Sequence, residues 1–361
     1  MTMVWEGMPI SLLAFVLIFG LVVIVHELGH FAVAKLAGVR VSEFGLGYPP
    51  RLLRIAKRGD TEYTLNAIPI GGFVRVLGDE NPTDPRSLAR KGPWLRGAFL
   101  FAGPAMNVAL AVLLFAVSLM MGMLTPVQGP GIGIYGVAPG SPAATAGLQP
   151  GDTILEIDGT PVNSVDTLHA LVNARLDQEI ALTIRRNDQV LPEPVRLVPR
   201  SVHPQDQGAV GIVIGDPLAR VAYPPWSALW LGLQRTGWTL VSIIGGLVAI
   251  VRGSAPPDLT GPIGIARMTA EVARTGLAQL VDWTAFLSVN LFIINLLPIP
   301  ALDGGRLVFV ALEILRRGRR IDPGKEGLVH LVGIVLLLAL FLVISYFDLV
   351  RIVQGTPLPG P

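Results

Sequence analysis

The sequence predicts a polytopic α-helical membrane protein with four transmembrane helices, a membrane-associated β-hairpin or sheet region, and an inserted α+β domain. Three observations predict this fold class. Hydrophobic residues make up 51% of the 361 residues and charged residues only 15%, against about 25% in soluble domains. Four apolar stretches are long enough to cross a bilayer, which takes roughly 20 residues. Between the second and third stretches, residues 127–200 have the composition of a soluble domain.

Composition also narrows the classes of function. The net charge is only +2, from 28 Lys and Arg against 26 Asp and Glu, so no nucleic-acid partner is indicated. The chain has no cysteine, so a metal ion would have to be held by His, Asp or Glu. We expect the first apolar run to stay in the mature protein, because it lacks a basic n-region and a small-residue cleavage site.

The first predicted span carries an HExxH motif. Residues 9–25 contain no charge, and HELGH follows at residues 26–30. Helical positions four apart lie on one face, so His26 and His30 can hold one metal ion while Glu27 acts as a general base on water. A surface helix would not be apolar on every side. An ionisable cluster inside a membrane span is by default a functional site.

The loop after the first span, residues 37–97, shows short β-type runs at Val39–Phe44, Glu62–Ile68 and Phe73–Leu77, separated by Gly and Pro. This pattern predicts a small curved sheet. The pair Gly71-Gly72 beside apolar residues suggests close backbone approach or a turn that dips into the membrane. An ordinary cytoplasmic hairpin fits the pattern equally well.

Basic residues predict the topology. Ten Lys or Arg lie in residues 37–97, and a second basic cluster lies in residues 316–325. The positive-inside rule places both loops in the cytoplasm, which four spans allow. A fifth span at Trp226–Val251 would move the second cluster outside. Because that segment holds Arg235 and three tryptophans, we interpret it as an amphipathic helix lying on or dipping into the membrane.

Residues 127–200 contain the string GIGIYGVAPGSPAATAGLQPGD, which resembles a PDZ domain of the bacterial permuted type. PDZ domains add a peptide as an extra strand and hold its terminal carboxylate with backbone amides. By this resemblance, that role falls to four consecutive residues, Gly131, Ile132, Gly133 and Ile134. We expect His169, on the helix that would flank the groove, to be exposed and without a role.

A third metal ligand is needed, because hydrolytic zinc usually has three protein ligands. The third span ends with NLLPIPALDGG, and its prolines Pro298 and Pro300 break the helix. Broken backbone at membrane depth is tolerated only where it lines a cavity or is buried in protein. Asp303 is therefore the best candidate, and a helix-stop Asp at the interface is the simpler alternative. The charge-derived topology puts HELGH, Asp303 and the FAGPAMN string of span two at one depth.

Four strings occur in the same order as in a known family: HELGH, FAGPAMN, GPIGIA at residues 261–266, and NLLPIPALDGG. Over nearly its whole length the chain resembles the site-2 protease family of intramembrane zinc metalloproteases, and within it the regulator of sigma-E protease branch. It has one PDZ domain, whereas some members have two. The resemblance implies zinc bound by His26, His30 and Asp303, with Glu27 as the catalytic base and acid. It assigns substrate or oxyanion binding to Asn295. Substrate would also pair with a sheet edge containing Gly71, Gly72 and Phe73.

The predicted function is hydrolysis of a peptide bond in or near the transmembrane segment of a single-pass membrane protein. An anti-sigma factor or a remnant signal peptide, already cleaved by another protease, would fit. We expect a bacterial inner-membrane protein with the active site near the cytoplasmic face and the PDZ domain outside the cytoplasm. The PDZ domain would either read a newly exposed peptide C-terminus or act as a steric filter, and the sequence does not choose between these roles. The alternatives are a non-catalytic PDZ-bearing scaffold and a transporter, although no second copy of the HExxH region is present.

We expect the two remaining histidines, His203 and His330, to be structural or exposed.

The predicted segments follow from these spans. The segments are a first transmembrane helix at 1–36, a cytoplasmic β region at 37–97, a second helix at 98–123, the PDZ domain at 127–200, a linker with interfacial helices at 201–282, a third helix at 283–305, a basic cytoplasmic loop at 306–327, and a fourth helix at 328–350.

Overall fold

The computed structural model describes residues 8–78, 84–204, 207–256 and 260–354. The chain divides into two compact units, one formed by Met1–Ser118 with Pro225–Pro361 and the other by Leu119–Pro224. The helices are α1 Met8–Leu36, α2 Pro93–Met120, α3 Pro142–Thr145, α4 Val165–Asn173, α5 Pro225–Val251, α6 Pro262–Thr275, α7 Leu277–Leu296, α8 Asp303–Leu315 and α9 Pro323–Gln354.

Five helices among the described residues are long and apolar enough to cross a membrane, namely α1, α2, α5, α7 and α9. Four of them coincide with the predicted spans, and α5 is the segment we interpreted as interfacial. Arg235 of α5 lies 2.8 Å from Asp282 of α7, and its guanidinium covers the ring of Phe115 at 4.9 Å. Its charge is thus paired, which weakens our argument that Arg235 keeps this helix out of the bilayer.

The third span and the loop after it differ from the prediction. Helix α7 ends at Leu296, before both prolines, and α8 then begins at Asp303. The prediction of a basic loop over 306–327 is therefore wrong in its first part. The physical reason is a helical apolar face, because Leu307, Val310 and Ile314 of α8 pack on a core formed with α1 and α2.

The packing of α7 on α2 fixes their relative direction. Ser118, near the end of α2, donates to Asp282 near the start of α7 at 3.2 Å. In the middle of both helices, the Ser288 hydroxyl donates to the backbone carbonyl of Asn107 at 2.8 Å. The two helices are antiparallel around a core that includes Phe115. The end of α2 and the start of α7 therefore lie on the same side of this unit.

The β region after α1 consists of two long, bent strands, β1 Val41–Arg58 and β2 Thr61–Val76. The first part of β1 pairs with both parts of β2, and the second part of β1 pairs with the first part of β2. The resulting order across the sheet is 72–76, 41–46, 61–66 and 51–58. The prediction of a small curved sheet is confirmed, and 51–58 is a strand that we did not predict. In the described chain, residues 72–76 pair on one side only.

The second unit is a β-rich domain with two short helices. Its strands are β3 Met123–Pro126, β4 Ile132–Val137, β5 Thr153–Ile157, β6 Thr160–Pro161, β7 Ile180–Arg186, β8 Gln189–Val190, β9 Val195–Leu197, β10 Ile212–Gly215 and β11 Leu218–Val221. The main sheet has the order β10-β4-β5-β7-β8, with β6 on β5 and β9 on β7. The hydroxyls of Ser141 and Ser164 cap the two helices.

This unit is larger than predicted. Strands β10 and β11 fall in the segment that we assigned to a linker, and β11 pairs with β3 to close the unit near its two ends. Buried apolar residues from the predicted and the unpredicted parts form one core, in which Ile134 and Ile154 lie beside Leu168 of α4 and Val210. The boundary at 127–200 is therefore wrong, because the strands that complete the sheet are separated from it in sequence.

Candidate metal centre

Three side chains converge at the end of α1 and the start of α8. The Oδ2 atom of Asp303 lies 3.1 Å from Nε2 of His26 and 3.2 Å from Nε2 of His30, and the two Nε2 atoms are 3.1 Å apart. A tetrahedral zinc site with bonds of about 2.0–2.1 Å separates its ligand atoms by about 3.3 Å. The three atoms therefore approximate one face of a tetrahedron, and the fourth corner is left for water or substrate.

Burial supports a cation at this position. Both histidines are buried, and Oδ2 of Asp303 faces their two Nε2 atoms with no further hydrogen-bond partner among the described residues. A buried carboxylate is costly unless it is paired or coordinates a metal. Two imidazoles and a carboxylate are also a donor set that suits zinc. The residues present therefore fit the metal that the HExxH motif predicts.

Neighbouring groups orient both imidazole rings. Nδ1 of His30 donates to the backbone carbonyl of Phe99 at 2.8 Å, which leaves the lone pair on Nε2 for a metal. Nδ1 of His26 lies 3.2 Å from the side-chain amide of Asn107. The amide atom at this distance is Nδ2, and a 180° rotation of the amide brings Oδ1 to the same place. With its oxygen toward His26 it accepts the Nδ1 proton, and Oδ1 otherwise has no partner in the described chain.

Glycines let α2 approach the histidines. A Cβ atom on Gly103 would lie 2.7 Å from Cε1 of His30 and 2.8 Å from Nε2 of His26. A Cβ atom on Gly29 would lie 2.6 Å from the carbonyl carbon of Ala102. Both distances are far below a normal van der Waals contact. The glycines of HELGH and FAGPAMN thus allow the close crossing that brings Asn107 to His26.

The Asp303 ligand depends on a tight return of the chain after α7. A Cβ atom on Gly304 would lie 2.5 Å from the carbonyl carbon of Leu296, and one on Gly305 would lie 2.8 Å from that of Ile299. The two glycines of the LDGG string therefore pack against backbone that precedes them by only a few residues. This packing holds the start of α8 against the end of α7.

Glu27 lies between the metal centre and the sheet. The backbone amide of Val74 faces its carboxyl group, and a Cβ atom on Gly72 would lie 3.6 Å from its Cγ. The ring of Phe73 stacks on Tyr48, with centroids 6.3 Å apart. Burial, together with the nearby charge of Glu27, raises the pKa of Tyr48. The sheet edge at 72–76 therefore runs past the candidate general base.

The remaining two predicted residues of this unit are placed as follows. Gly71 has a φ of +89°, and a Cβ atom there would lie 2.8 Å from the ring of Tyr48. Asn295 is half-buried in the last turn of α7, and no measured contact joins it to the three ligands. Its role stays a prediction. Asn107, which the sequence analysis covered only as part of the FAGPAMN string, is the asparagine that contacts a ligand.

The prediction that Gly131 to Ile134 adds a peptide strand is wrong. Strand β4 is an interior strand, because Gly133 pairs with Thr153 of β5 on one side and with Gly215 of β10 on the other. Both backbone groups of Ile134 are also used, its N–H by Asp152 and its carbonyl by Gly151. Among the described residues, β10 ends the sheet on this side, and its string GIVIG repeats the Gly-Ile pattern that we assigned to β4.

The chain is similar to several bacterial proteins over almost its entire length. Residues 14–340 match the protein family that is described as Peptidase family M50. A relative from Clostridium acetobutylicum is 35% identical over 342 residues, covering 93% of this chain and 96% of the relative. The zinc metalloprotease RasP of Oceanobacillus iheyensis is 31% identical over 433 residues, covering 95% and 99%. A solved PDZ domain of an SdrC-like protein from Listeria monocytogenes covers 25% of this chain and 93% of its own length, with 21% identity and a TM-score of 0.22.

Proposed function

Because this chain belongs to Peptidase family M50 and is an intramembrane zinc metalloprotease, we propose that His26, His30 and Asp303 bind its zinc ion. The observation that carries the proposal is the triangle of ligand atoms, 3.1–3.2 Å on each side. When bound, zinc polarises the scissile carbonyl and lowers the pKa of water. The reaction is hydrolysis of a peptide bond of a membrane protein.

Glu27 is the proton carrier in this proposal. It follows the ligand His26 directly and lies beside the sheet edge where substrate would bind. Its carboxylate takes a proton from the attacking water and then passes it to the leaving amine nitrogen. Asn295 in α7 is assigned, by family resemblance, to hold the substrate or the oxyanion.

The sheet edge provides a way to present the substrate. A transmembrane helix hides its amides in intrahelical hydrogen bonds, so it must unwind before a peptide bond can be cut. Residues 72–76 are unpaired on the side away from 41–46 in the described sheet. An extended substrate added along Gly72 and Phe73 would replace its lost hydrogen bonds. We assign Gly71 to the backbone bend at which this edge begins. We assign an anti-sigma factor or a remnant signal peptide as the substrate class.

The direction of the helices supports four crossings. The end of α2 and the start of α7 lie on the same side, so the chain between them crosses the membrane an even number of times. That stretch contains one candidate span, α5, and the shorter α6. A single crossing by α5 would break this parity. We assign the crossings to α1, α2, α7 and α9, with α5 dipping into the membrane, the active site near the cytoplasmic face and Leu119–Pro224 outside.

We assign peptide recognition in the second unit to the edge of β10, with this unit as the PDZ domain. Strand β10 ends the main sheet, and Val213 in its middle is 64% exposed. A peptide C-terminus added there would extend the sheet by one strand.

Replacing the general base tests the catalytic proposal. We expect Glu27→Gln to lower cleavage of a membrane-bound reporter at least about 100-fold, because the amide cannot carry the proton. Zinc content, measured on the purified protein, should stay near wild type, because Glu27 is not a ligand. Glu271→Gln, an exposed glutamate on α6, is the matched control and should cleave normally. Retained cleavage by Glu27→Gln would overturn the mechanism.

A further inference from the structure

His330 of α9 contacts the backbone just before the third ligand. Its Nδ1 accepts a hydrogen bond of 2.9 Å from the backbone N–H of Ala301, two residues from Asp303. The residue is only 8% exposed. Because Nδ1 accepts this hydrogen bond, the proton of a neutral ring lies on Nε2. Nε2 faces a carboxylate oxygen of Glu326, one helical turn earlier, at 3.8 Å, which is beyond hydrogen-bond distance.

Ala301 adopts a conformation that alanine disfavours. Its φ is +81°, a region that glycine occupies readily and other residues rarely. The N–H of Leu302 donates to the carbonyl of Ile299 at 3.2 Å, so Pro300 and Ala301 are the central residues of a β-turn. Proline followed by a residue near +80° is the pattern of a type II turn, which favours glycine at the second central position.

The role that we infer for His330 follows from the type of this turn. Types I and II differ by a flip of the peptide between the two central residues, here the peptide that carries the Ala301 N–H. In a type I turn Ala301 would be relaxed, with a negative φ. The acceptor on His330 stabilises the strained alternative, because it satisfies the N–H in the observed orientation only.

A second feature of α9 fits the same turn. A Cβ atom on Gly333 would lie 2.6 Å from the carbonyl oxygen of Pro300 and 2.7 Å from its carbonyl carbon. Gly333 lies three residues after His330, on the same helical face. The ring of Phe309 in α8, the helix that begins with Asp303, also packs on His330, with centroids 5.5 Å apart. Helix α9 thus holds both the turn and the ligand-bearing helix.

We propose that His330 is a positioning residue for the metal centre: its hydrogen bond selects the type II turn at Pro300-Ala301 and thereby places Asp303 opposite the two histidines. The proposal rests on Asp303 being a zinc ligand. Partners of metal ligands typically change metal affinity about 10- to 100-fold when they are removed. Loss of the acceptor should allow the peptide to flip and carry Asp303 away from His26 and His30.

Zinc affinity of the purified full-length protein, measured by competition with a chelator, tests this without a substrate. We expect His330→Leu to raise the zinc Kd about 10-fold or more. His330→Asn keeps an acceptor near the position of Nδ1 and should stay within about threefold of wild type, whereas His330→Gln places its amide too far out and should behave like His330→Leu. His203→Leu, an exposed histidine, is the control for loss of an imidazole.

A rescue experiment separates positioning from a general packing defect. Glycine takes a φ of +81° without strain, so Ala301→Gly should restore most of the zinc affinity in the His330→Leu background. A wild-type zinc Kd for His330→Leu, equal defects in the Asn and Gln variants, or no rescue by Ala301→Gly would overturn the proposal. Asp303→Ala is measured in parallel. If Asp303→Ala keeps wild-type zinc affinity, the proposed ligand set is wrong. If Asp303→Ala loses affinity but His330→Leu keeps it, only the positioning role is wrong.

Discussion

The two histidines of α1 are held in place in different ways. His30 donates to a backbone carbonyl, that of Phe99, which no side-chain substitution removes. His26 depends on the side chain of Asn107, a residue that is completely buried and whose own backbone is held by Ser288. Replacing Asn107 therefore tests how far a single neighbouring group controls one ligand.

We expect Asn107→Leu to weaken zinc binding about 10- to 100-fold, because His26 loses the group that fixes its ring. Asn107→Asp keeps an oxygen that can accept the Nδ1 proton and should bind zinc at least as well as wild type. The measurement is the zinc Kd of the purified protein. Asn290→Leu in α7 is the control, because within the described residues the Asn290 amide donates to the Phe286 carbonyl of its own helix. Wild-type affinity in Asn107→Leu would show that His26 needs no such partner.

Space is as important as hydrogen bonding at this site. An added Cβ on Gly103 would collide with both imidazoles, whereas one on Gly97 in the same helix would meet only Val310, at an ordinary 3.8 Å. We expect Gly103→Ala to lower zinc occupancy and cleavage at least about tenfold and Gly97→Ala to leave both near wild type. Metal analysis of the two purified variants checks this. Full zinc in Gly103→Ala would mean that α2 does not approach the histidines this closely.

At the scale of elements, two of the sheet edges in the described residues are our candidates for strand addition, and each lies in a different unit. Residues 72–76 run beside Glu27, and β10 ends the main sheet of the second unit. The opposite end of that sheet is β8, a strand of two residues. Edge length thus favours β10 for peptide binding.

Proline substitution at the two ends of this sheet tests the peptide site. Val213 of β10 and Val190 of β8 are both exposed valines, and proline removes a backbone donor and disrupts strand pairing. We expect Val213→Pro to weaken binding of C-terminal peptides to the full-length protein at least about tenfold. Val190→Pro should leave it within about twofold. Titration with a fluorescent peptide library measures both, and equal losses would exclude β10 as the specific site.

At the scale of the whole molecule, the relative direction of α2 and α7 constrains the number of membrane crossings more than hydropathy does. Helix α5 has the length and composition of a span, and its one charge is paired with Asp282. Composition alone therefore allows five crossings. The antiparallel contacts of α7 with α2 favour the proposed even number of crossings between them, which agrees with basic loops on one side.

Cysteine labelling can test the topology, because the chain has no native cysteine. Single cysteines are placed at Asp166 in α4, Ser254 after α5 and Arg319 after α8, all exposed positions. With α5 dipping into the membrane, we expect a membrane-impermeant maleimide added outside intact cells to label Asp166→Cys and Ser254→Cys but not Arg319→Cys. Labelling of Ser254→Cys only after lysis would mean that α5 crosses.

Local patterns in the sequence are sufficient for part of the site. His26, Glu27 and His30 share one helix, so their spacing alone predicts a shared metal, and membership of the M50 family confirms the predicted zinc metalloprotease. Asp303 was predicted from dense turn chemistry in an apolar context, and the structure brings it to the histidines. The apolar lengths also predict the helices α1, α2, α7 and α9, but α5 meets the same criterion, so length and composition alone do not decide the number of crossings.

Other features depend on contacts between distant parts of the chain, and only the tertiary structure decides them. Strand order makes β4 interior and β10 an edge, although both carry a Gly-Ile string. Close helix crossing selects Asn107 as the partner of His26. The strained φ of Ala301 becomes meaningful only when His330, 29 residues later, is seen to accept its N–H. A sequence specifies which groups are present along the chain, whereas the partner of a buried polar group is chosen by packing.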